Sequence, residues 1–240
     1  MNDLFEAFDD IEDLALDLDD PNPGARIVAV IELADSADPA AIPYLAKAIQ
    51  DEDEGVRLKA AQALTDFDGP ETSAALVLAL TDGSEAVKNA AAVSLTELKD
   101  PEAGTPLLPC IEAEDEFVKI AALGGLKELR RADALGPAID ALQNASAGVR
   151  AAAVGVIGWL QDETALPALK AASEDTDPGV RKTAVAAFGF SKSPHAEKAL
   201  TKALGDEDWQ VREAGAETLR RHGSCGQTGT DDGDHDTEFA

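Results

Sequence analysis

The stretch "DEDEGVRLKAAQAL", Asp51 to Leu64, decides the fold. Asp53 is a preferred N-cap residue, whose carboxylate can accept free N–H groups of a first helical turn. Val56, Ala60 and Leu64 then fall at i, i+4 and i+8, on one helical face. One amphipathic helix is not a fold, but this one recurs. Counting from its base, Arg57, bases stand at Arg26, Arg57, Lys88, Lys119, Arg150, Arg181 and Arg212, 31 residues apart. Four residues before them stand Asn22, Asp53, Ser84, Asp115, Ser146, Asp177 and Asp208, all N-cap types. Three after come Ala29, Ala60, Ala91, Ala122, Ala153, Ala184 and Gly215, and seven after come Leu33, Leu64, Leu95, Leu126, Ile157, Phe188 and Leu219. These positions predict a core stripe on seven "B" helices. Breakers such as "FDGP" and "SKSP" follow, then a second apolar segment, predicted to be an "A" helix.

A period this constant is the signature of a solenoid, in which no hairpin buries its own apolar face and neighbours must do so. The prediction is an all-α, right-handed α-solenoid of about seven 31-residue helical hairpins over residues 1–222. The acidic segment 3–18, "DLFEAFDDIEDLALDL", supplies the first A helix. Residues 223–240, "GSCGQTGTDDGDHDTEFA", are rich in Gly, Thr and Asp and are expected to form a disordered acidic tail.

The pattern D-x-D-x-x-V-R-x-x-A-A-x-A-L in 51–64, and "DTDPGVRKTAVAAFG" at 175–189, resembles a HEAT repeat. More specifically, it is similar to the HEAT-like repeats of the phycobilisome lyase type, over about residues 4–222. The resemblance implies that the base of one repeat and the Asp six residues ahead of the base in a neighbouring repeat pair along the stack. Asp20, Arg26, Asp51, Arg57, Asp82, Lys88, Asp175, Arg181, Asp206 and Arg212 would then form a structural ladder rather than a site. Ala113 replaces the Asp of the fourth repeat, so the ladder is expected to be interrupted there.

Composition narrows the function. The formal charge is −27, with 47 acids against 20 bases in 240 residues. Such a surface repels phosphate backbones and anionic membranes and suits basic protein partners; adaptation to high salt is the other explanation of the same acidity. No apolar run approaches the length of a membrane span, and the first 25 residues, with nine acids and no Lys or Arg, do not read as a secretory signal. The expected compartment is the cytoplasm.

Motifs for chemistry are absent from the sequence: there is no P-loop, GxSxG or HExxH. The iron enzyme of this fold, deoxyhypusine hydroxylase, holds its metal through His-Glu pairs, and none of His195, His222 and His235 is followed by Glu. Cys110 occupies a column otherwise made of Ala48, Ala79, Ala141, Ala172 and Ala203 and reads as a small core residue. Cys225 with His222, His235 and the acidic tail falls short of the four ordered ligands of a zinc site. No catalytic residue, cofactor or metal is assigned.

In HEAT arrays the B helices line the concave surface, so the resemblance places the positions opposite the core stripe in the groove. On a wheel of 100° per residue these are one, five and eight after the base. They read as apolar or bare through the fifth repeat, with Ile120, Gly124, Gly155 and Gly158 among them, and Ala186 and Gly189 keep small residues at two of these positions in the sixth. Nine after the base, Asp35, Asp66, Glu97 and Glu128 give way to Trp159 and Phe190. These two aromatics beside the glycines form either a partner-binding hot spot or filler for the space the glycines leave. Trp209, which follows the last cap, is expected to cover the open end of the stack. The expected function is a non-catalytic scaffold for a protein partner that is basic or carries an exposed apolar segment. The alternative that the resemblance implies is a bilin lyase-like subunit or chaperone, with a bilin or phycobiliprotein as its partner.

Overall fold

The computed structural model describes residues 11–190 and 194–225, except for the side chains at 190, 194, 195 and 222–225. Every element among them is helical. The chain divides into two compact units at Leu160/Gln161, between the fifth and sixth hairpins.

In the first unit α1 (Ile11–Leu16) pairs with α2 (Pro23–Asp35), α3 (Ile42–Ala48) with α4 (Glu54–Ala63), and α5 (Pro70–Ala79) with α6 (Glu85–Glu97). The fourth hairpin ends in α7 (Glu116–Glu128), and the fifth pairs α8 (Leu135–Ala141) with α9 (Ala147–Leu160). The B helices α2, α4, α6, α7 and α9 pack each on the next, as the stack requires. In the second unit α10 (Leu166–Ala172) and α11 (Pro178–Ala187) form the sixth hairpin, α12 (Pro194–Ala203) and α13 (Trp209–Cys225) the seventh, and α11 packs on α13.

The caps explain where each B helix begins. Asn22 accepts from the Gly24 N–H, Asp53 from Gly55 and Val56, Ser84 from Ala86, and Asp115 from Phe117 and Val118. Ser146 accepts from Val149, Asp177 from Gly179 and Val180, and Asp208 from Gln210 and Val211. Each such cap is worth about 1 kcal/mol.

The core is broader than the sequence stripe. Val56, Ala60 and Leu64 are fully buried, and so are their counterparts Val149, Ala153 and Ile157. Most positions four and six after the base are buried as well, as with Leu123 and Val154, and Ser94 and Val156, though Glu32 and Ala216 are exposed. A B helix inside the stack packs against an A helix and against two B neighbours, so a single-face wheel undercounts its buried arc. Gly125, six after its base, is one such position. A Cβ there would stand 2.8 Å from Leu107 Cδ1 and 3.2 Å from the Leu95 carbonyl oxygen, so only glycine allows the observed approach of α6 and α7.

Several elements differ from expectation. The first A helix is α1 followed by a 3-10 turn at Asp17–Asp19, and residues 3–10 lie outside the described part. The fourth A segment is not an α-helix but two 3-10 turns, Pro101–Gly104 and Leu108–Glu112. Pro106 and Pro109 deny it backbone donors and clash with a continuous helix. The last helix runs through Cys225, three residues into the segment expected to be a tail, and residues 226–240, with His235, lie outside the described part. Trp209 is 60% exposed and therefore does not cover the core at the end of the stack. Cys110 is half-buried, and its thiol donates to the Pro106 carbonyl at 3.4 Å. Burial pushes that thiol above its ordinary pKa, which lowers its thiolate fraction and its reactivity.

Candidate functional site

The regular charges connect successive hairpins. Arg26 donates from Nε and Nη2 to both oxygens of Asp51, at 2.8 and 2.7 Å. Arg57 does the same to Asp82, at 2.6 and 3.2 Å, and Arg181 to Asp206, at 3.0 and 2.9 Å. The partner carboxylate lies 25 residues on, in the following hairpin. Each guanidinium also uses Nη1 to bond the main-chain carbonyl six residues back: Asp20 for Arg26, Asp51 for Arg57, Asp175 for Arg181 and Asp206 for Arg212. The same Asp column accepts the N–H two residues on, as Asp20 does from Asn22 and Asp82 from Ser84. One side chain thus shapes its own loop and receives the neighbour's base.

These pairs shift both partners. Burial alone pushes the Asp51 carboxyl up, but the bonds from Arg26 and the Asp53 N–H outweigh it and hold the group below the usual carboxylate range. Hydrogen bonds from Arg57 and Arg181 hold Asp82 and Asp206 low in the same way. At Lys88 the next position in the column is Ala113. Lys88 turns to Glu85 at 2.5 Å and lies 5.6 Å from the centroid of the Phe117 ring. Arg26, Arg57 and Arg181 thus turn all three nitrogens toward a carboxylate of the following hairpin and a carbonyl of their own loop.

The B-helix face opposite the core is chemically different. Consider the positions one, two, five and eight after the base in α2, α4 with its 3-10 end, α6, α7 and α9. They hold Ile27, Val28, Ile31 and Ala34; Leu58, Lys59, Gln62 and Thr65; Asn89, Ala90, Val93 and Thr96; Ile120, Ala121, Gly124 and Lys127; Ala151, Ala152, Gly155 and Gly158, of which Ala121 and Gly158 are buried and the rest reach the surface. No acid occurs among these positions, although acids make up 47 of the 240 residues. Val93 is 62% exposed and Val28 51%. Acids border this face at both helix ends. Asp35, Asp66, Glu97 and Glu128 are exposed at the C-terminal ends, and Glu52, Glu54, Glu85, Glu114 and Glu116 are exposed near the N-terminal ends.

The residues singled out from the sequence fall into distinct places. Ile120 is half-buried and reaches the start of the next B helix, where its Cδ1 stands 3.0 Å from the Cβ that Gly148 would carry. Gly124 faces open space, its nearest neighbour being Thr96 Cγ2 at 3.8 Å from an added Cβ, and Gly155 is overlain by the Lys127 stem at 3.6 Å. Gly158 is buried and does not line the face. In the second unit Ala186 is half-buried, and an added Cβ on Gly189 would meet Thr218 Cγ2 at 2.9 Å, so this glycine serves close packing rather than an open floor. Trp159 is half-buried, with the Arg130 guanidinium 4.9 Å from its ring centroid. The Phe190 side chain lies outside the described residues. Val93 stands in the groove-facing column read from the sequence, whereas Val28 and Arg130 were missed. An acid census that included the column two after the base would have found Val28.

Among the described residues no group of His, Cys, Asp and Glu could hold a metal ion, and no helix is long and apolar enough to cross a membrane.

Comparison with known proteins agrees with this architecture. A family model for HEAT repeats matches residues 11–96, 56–127, 104–189 and 170–231. No curated protein matches the chain. Among solved structures, the complex of CpcE and CpcF of phycocyanin lyase from Nostoc sp. is 21% identical, with 93% of this chain and 90% of that one covered and a TM-score of 0.45. Escherichia coli YibA is 16% identical over 80% of this chain and 77% of that one, with a TM-score of 0.54. Kap121p is 16% identical over 88% of this chain and 29% of that one, with a TM-score of 0.63. With the 31-residue period, the capped B helices and a family match that spans nearly all of the described residues, the chain belongs to the HEAT-repeat family and folds as an α-solenoid.

Proposed function

We propose that the chain is a non-catalytic scaffold whose B-helix face in the first unit binds a protein segment that is apolar along its middle and carries Lys or Arg toward its edges. The observation that carries this reading is the acid-free face between two acidic borders. Whether the acidity of the chain serves partner choice or solubility in salt, acids cover surfaces meant for water, and this face lacks them. Exposed Val28 and Val93 and the half-buried Ile27, Ile31 and Leu58 supply apolar area. The bordering carboxylates speed the approach of a basic segment and penalise an acidic one.

Affinity capture with the wild-type chain beside a Val28→Asp/Val93→Asp variant tests the reading, with circular dichroism on both. Both substitutions fall on exposed positions, so helicity is expected to stay unchanged while the captured partner is lost. A partner held equally by wild type and variant overturns the proposal. Bilin binding is the competing outcome: incubation of the purified chain with a bilin would then produce visible absorbance that co-purifies with it.

A further inference from the structure

Arg130 follows α7 at a backbone φ of 51°, in the turn that leads to the fifth hairpin. It is exposed, and its guanidinium carbon lies 4.9 Å from the centroid of the Trp159 ring. Among the described residues it makes no ion pair. Its neighbour Arg131 is the contrast, because both oxygens of Asp133 accept from it, at 2.9 and 2.6 Å. A guanidinium resting on an indole keeps its edge N–H donors available, and its orientation is already set.

Glu128 and Asp133 are exposed near Arg130 in sequence, but the helix-end column breaks the pattern of the preceding hairpins. On the first four B helices the position nine after the base is Asp35, Asp66, Glu97 or Glu128; on the fifth it is Trp159. The start of the fifth B helix also carries no acid, and none occurs anywhere from 141 to 160. A carboxylate on a bound segment would meet like charge at hairpins one to four. At hairpin five it would meet Arg130.

Resting on the scaffold reading above, we infer that Arg130, seated on Trp159, receives a carboxylate of the bound protein segment and so fixes its direction along the B-helix face. The segment lies with its basic residues toward the earlier hairpins and an Asp or Glu at the fifth. A charge-assisted guanidinium–carboxylate bond on a prepared arginine is directional, and it selects partners by where their acid lies.

The test uses the full chain and two labelled synthetic peptides. Both have a leucine-alanine middle and a lysine pair at one end; the other end carries a glutamate pair in one and a glutamine pair in the other. Fluorescence anisotropy is expected to show the glutamate peptide binding about tenfold more tightly. Arg130→Ala should abolish that preference, and Arg130→Glu should invert it. If Val93→Asp still weakens both peptides while Arg130→Ala leaves the preference unchanged, the inference fails and the scaffold reading stands. If the wild type binds neither peptide, or Val93→Asp has no effect, the scaffold reading falls and takes the inference with it. If the wild type sediments as a dimer that Arg130→Glu dissociates, the face binds a second copy of this chain and the inference is overturned.

Discussion

Arg57 holds both carboxylate oxygens of Asp82 across a hairpin step, at 2.6 and 3.2 Å, whereas Lys88, at the same place one hairpin on, meets no carboxylate there because residue 113 is alanine. The choice of base follows the choice of acid through the first six hairpins. Arginine stands at 26, 57, 150 and 181, and Asp51, Asp82, Asp175 and Asp206 stand 25 residues beyond; lysine stands at 88 and 119, where the corresponding residues are Ala113 and Asn144. Only the planar guanidinium can engage a carboxylate with two parallel bonds. Without the carboxylate that geometry has nothing to match, and lysine serves. Asn144 still accepts the Ser146 N–H at 2.9 Å, so it keeps the loop while giving up the charge.

Removing one acid should therefore cost more than a surface ion pair. Asp82→Ala leaves Arg57 without its carboxylate and removes the bond to the Ser84 N–H. Both side chains of the pair are mostly covered, at 18% and 9% exposure, but the pair sits at a loop edge, where water screens it. The expected loss is about 1–2 kcal/mol, between the surface and buried limits. Chemical denaturation checks it. In the opposite direction, Lys88→Arg with Ala113→Asp should raise Tm by more than the two single changes added together, since each residue gains its partner only in the double variant.

Acid should weaken the stack through the same groups. Asp51, Asp82 and Asp206 have carboxyl pKa values lowered by folding, with the arginine bonds as the main lowering cause. A group whose pKa falls on folding stabilises the native state above its unfolded value, about 3.9 for Asp. That contribution fades as pH falls through the folded value. Stability should thus be flat from neutrality to about pH 5 and drop below about pH 4, and Asp82→Asn should flatten the drop. Denaturant midpoints across that pH range measure it.

Neighbouring glycines in α7 should respond with opposite signs. Gly125→Ala places a methyl 2.8 Å from buried Leu107 and 3.2 Å from a backbone oxygen and is expected to destabilise by about 1–3 kcal/mol. Gly124→Ala meets nothing closer than 3.8 Å and should stabilise by about 0.5–1 kcal/mol through helix propensity. Equal effects from the two substitutions would contradict the packing described for α6 and α7.

How much of this could be read from the sequence follows from what repeats. The caps and the Val, Ala and Leu or Ile columns recur in almost every hairpin, so chance resemblance cancels and the B helices stand out. The A segments vary, and in the fourth Pro106 and Pro109 replace an α-helix with 3-10 turns, a local effect that no period reports. The breadth of the core was hidden because a wheel describes one helix, while burial of Leu123 depends on α6 and α9, the B helices packed on either side of α7. The Arg130–Trp159 contact joins a positive-φ loop residue to the end of the next B helix, and no spacing rule connects them.

The positive-φ turn that carries Arg130 recurs along the stack. Ala37, Arg130 and Gln161 each stand eleven residues after a base, with φ of 50°, 51° and 54°. None is glycine, so each accepts a left-handed conformation that costs an L residue about 1–2 kcal/mol. Glycine removes that strain but adds freedom to the unfolded chain, which takes back about 0.4–1 kcal/mol. Ala37→Gly, which sacrifices only a methyl group, should therefore stabilise by about 0.5–1 kcal/mol on balance. Arg130→Gly gains the same backbone relief but loses the contact with Trp159, worth about 0.5–1 kcal/mol at an exposed site, and should come out near neutral. Thermal unfolding of the two variants side by side separates the terms. A clear gain for Arg130→Gly equal to that for Ala37→Gly would mean that the guanidinium adds nothing to stability by resting on the indole. It would leave its charge as the only property available for recognition.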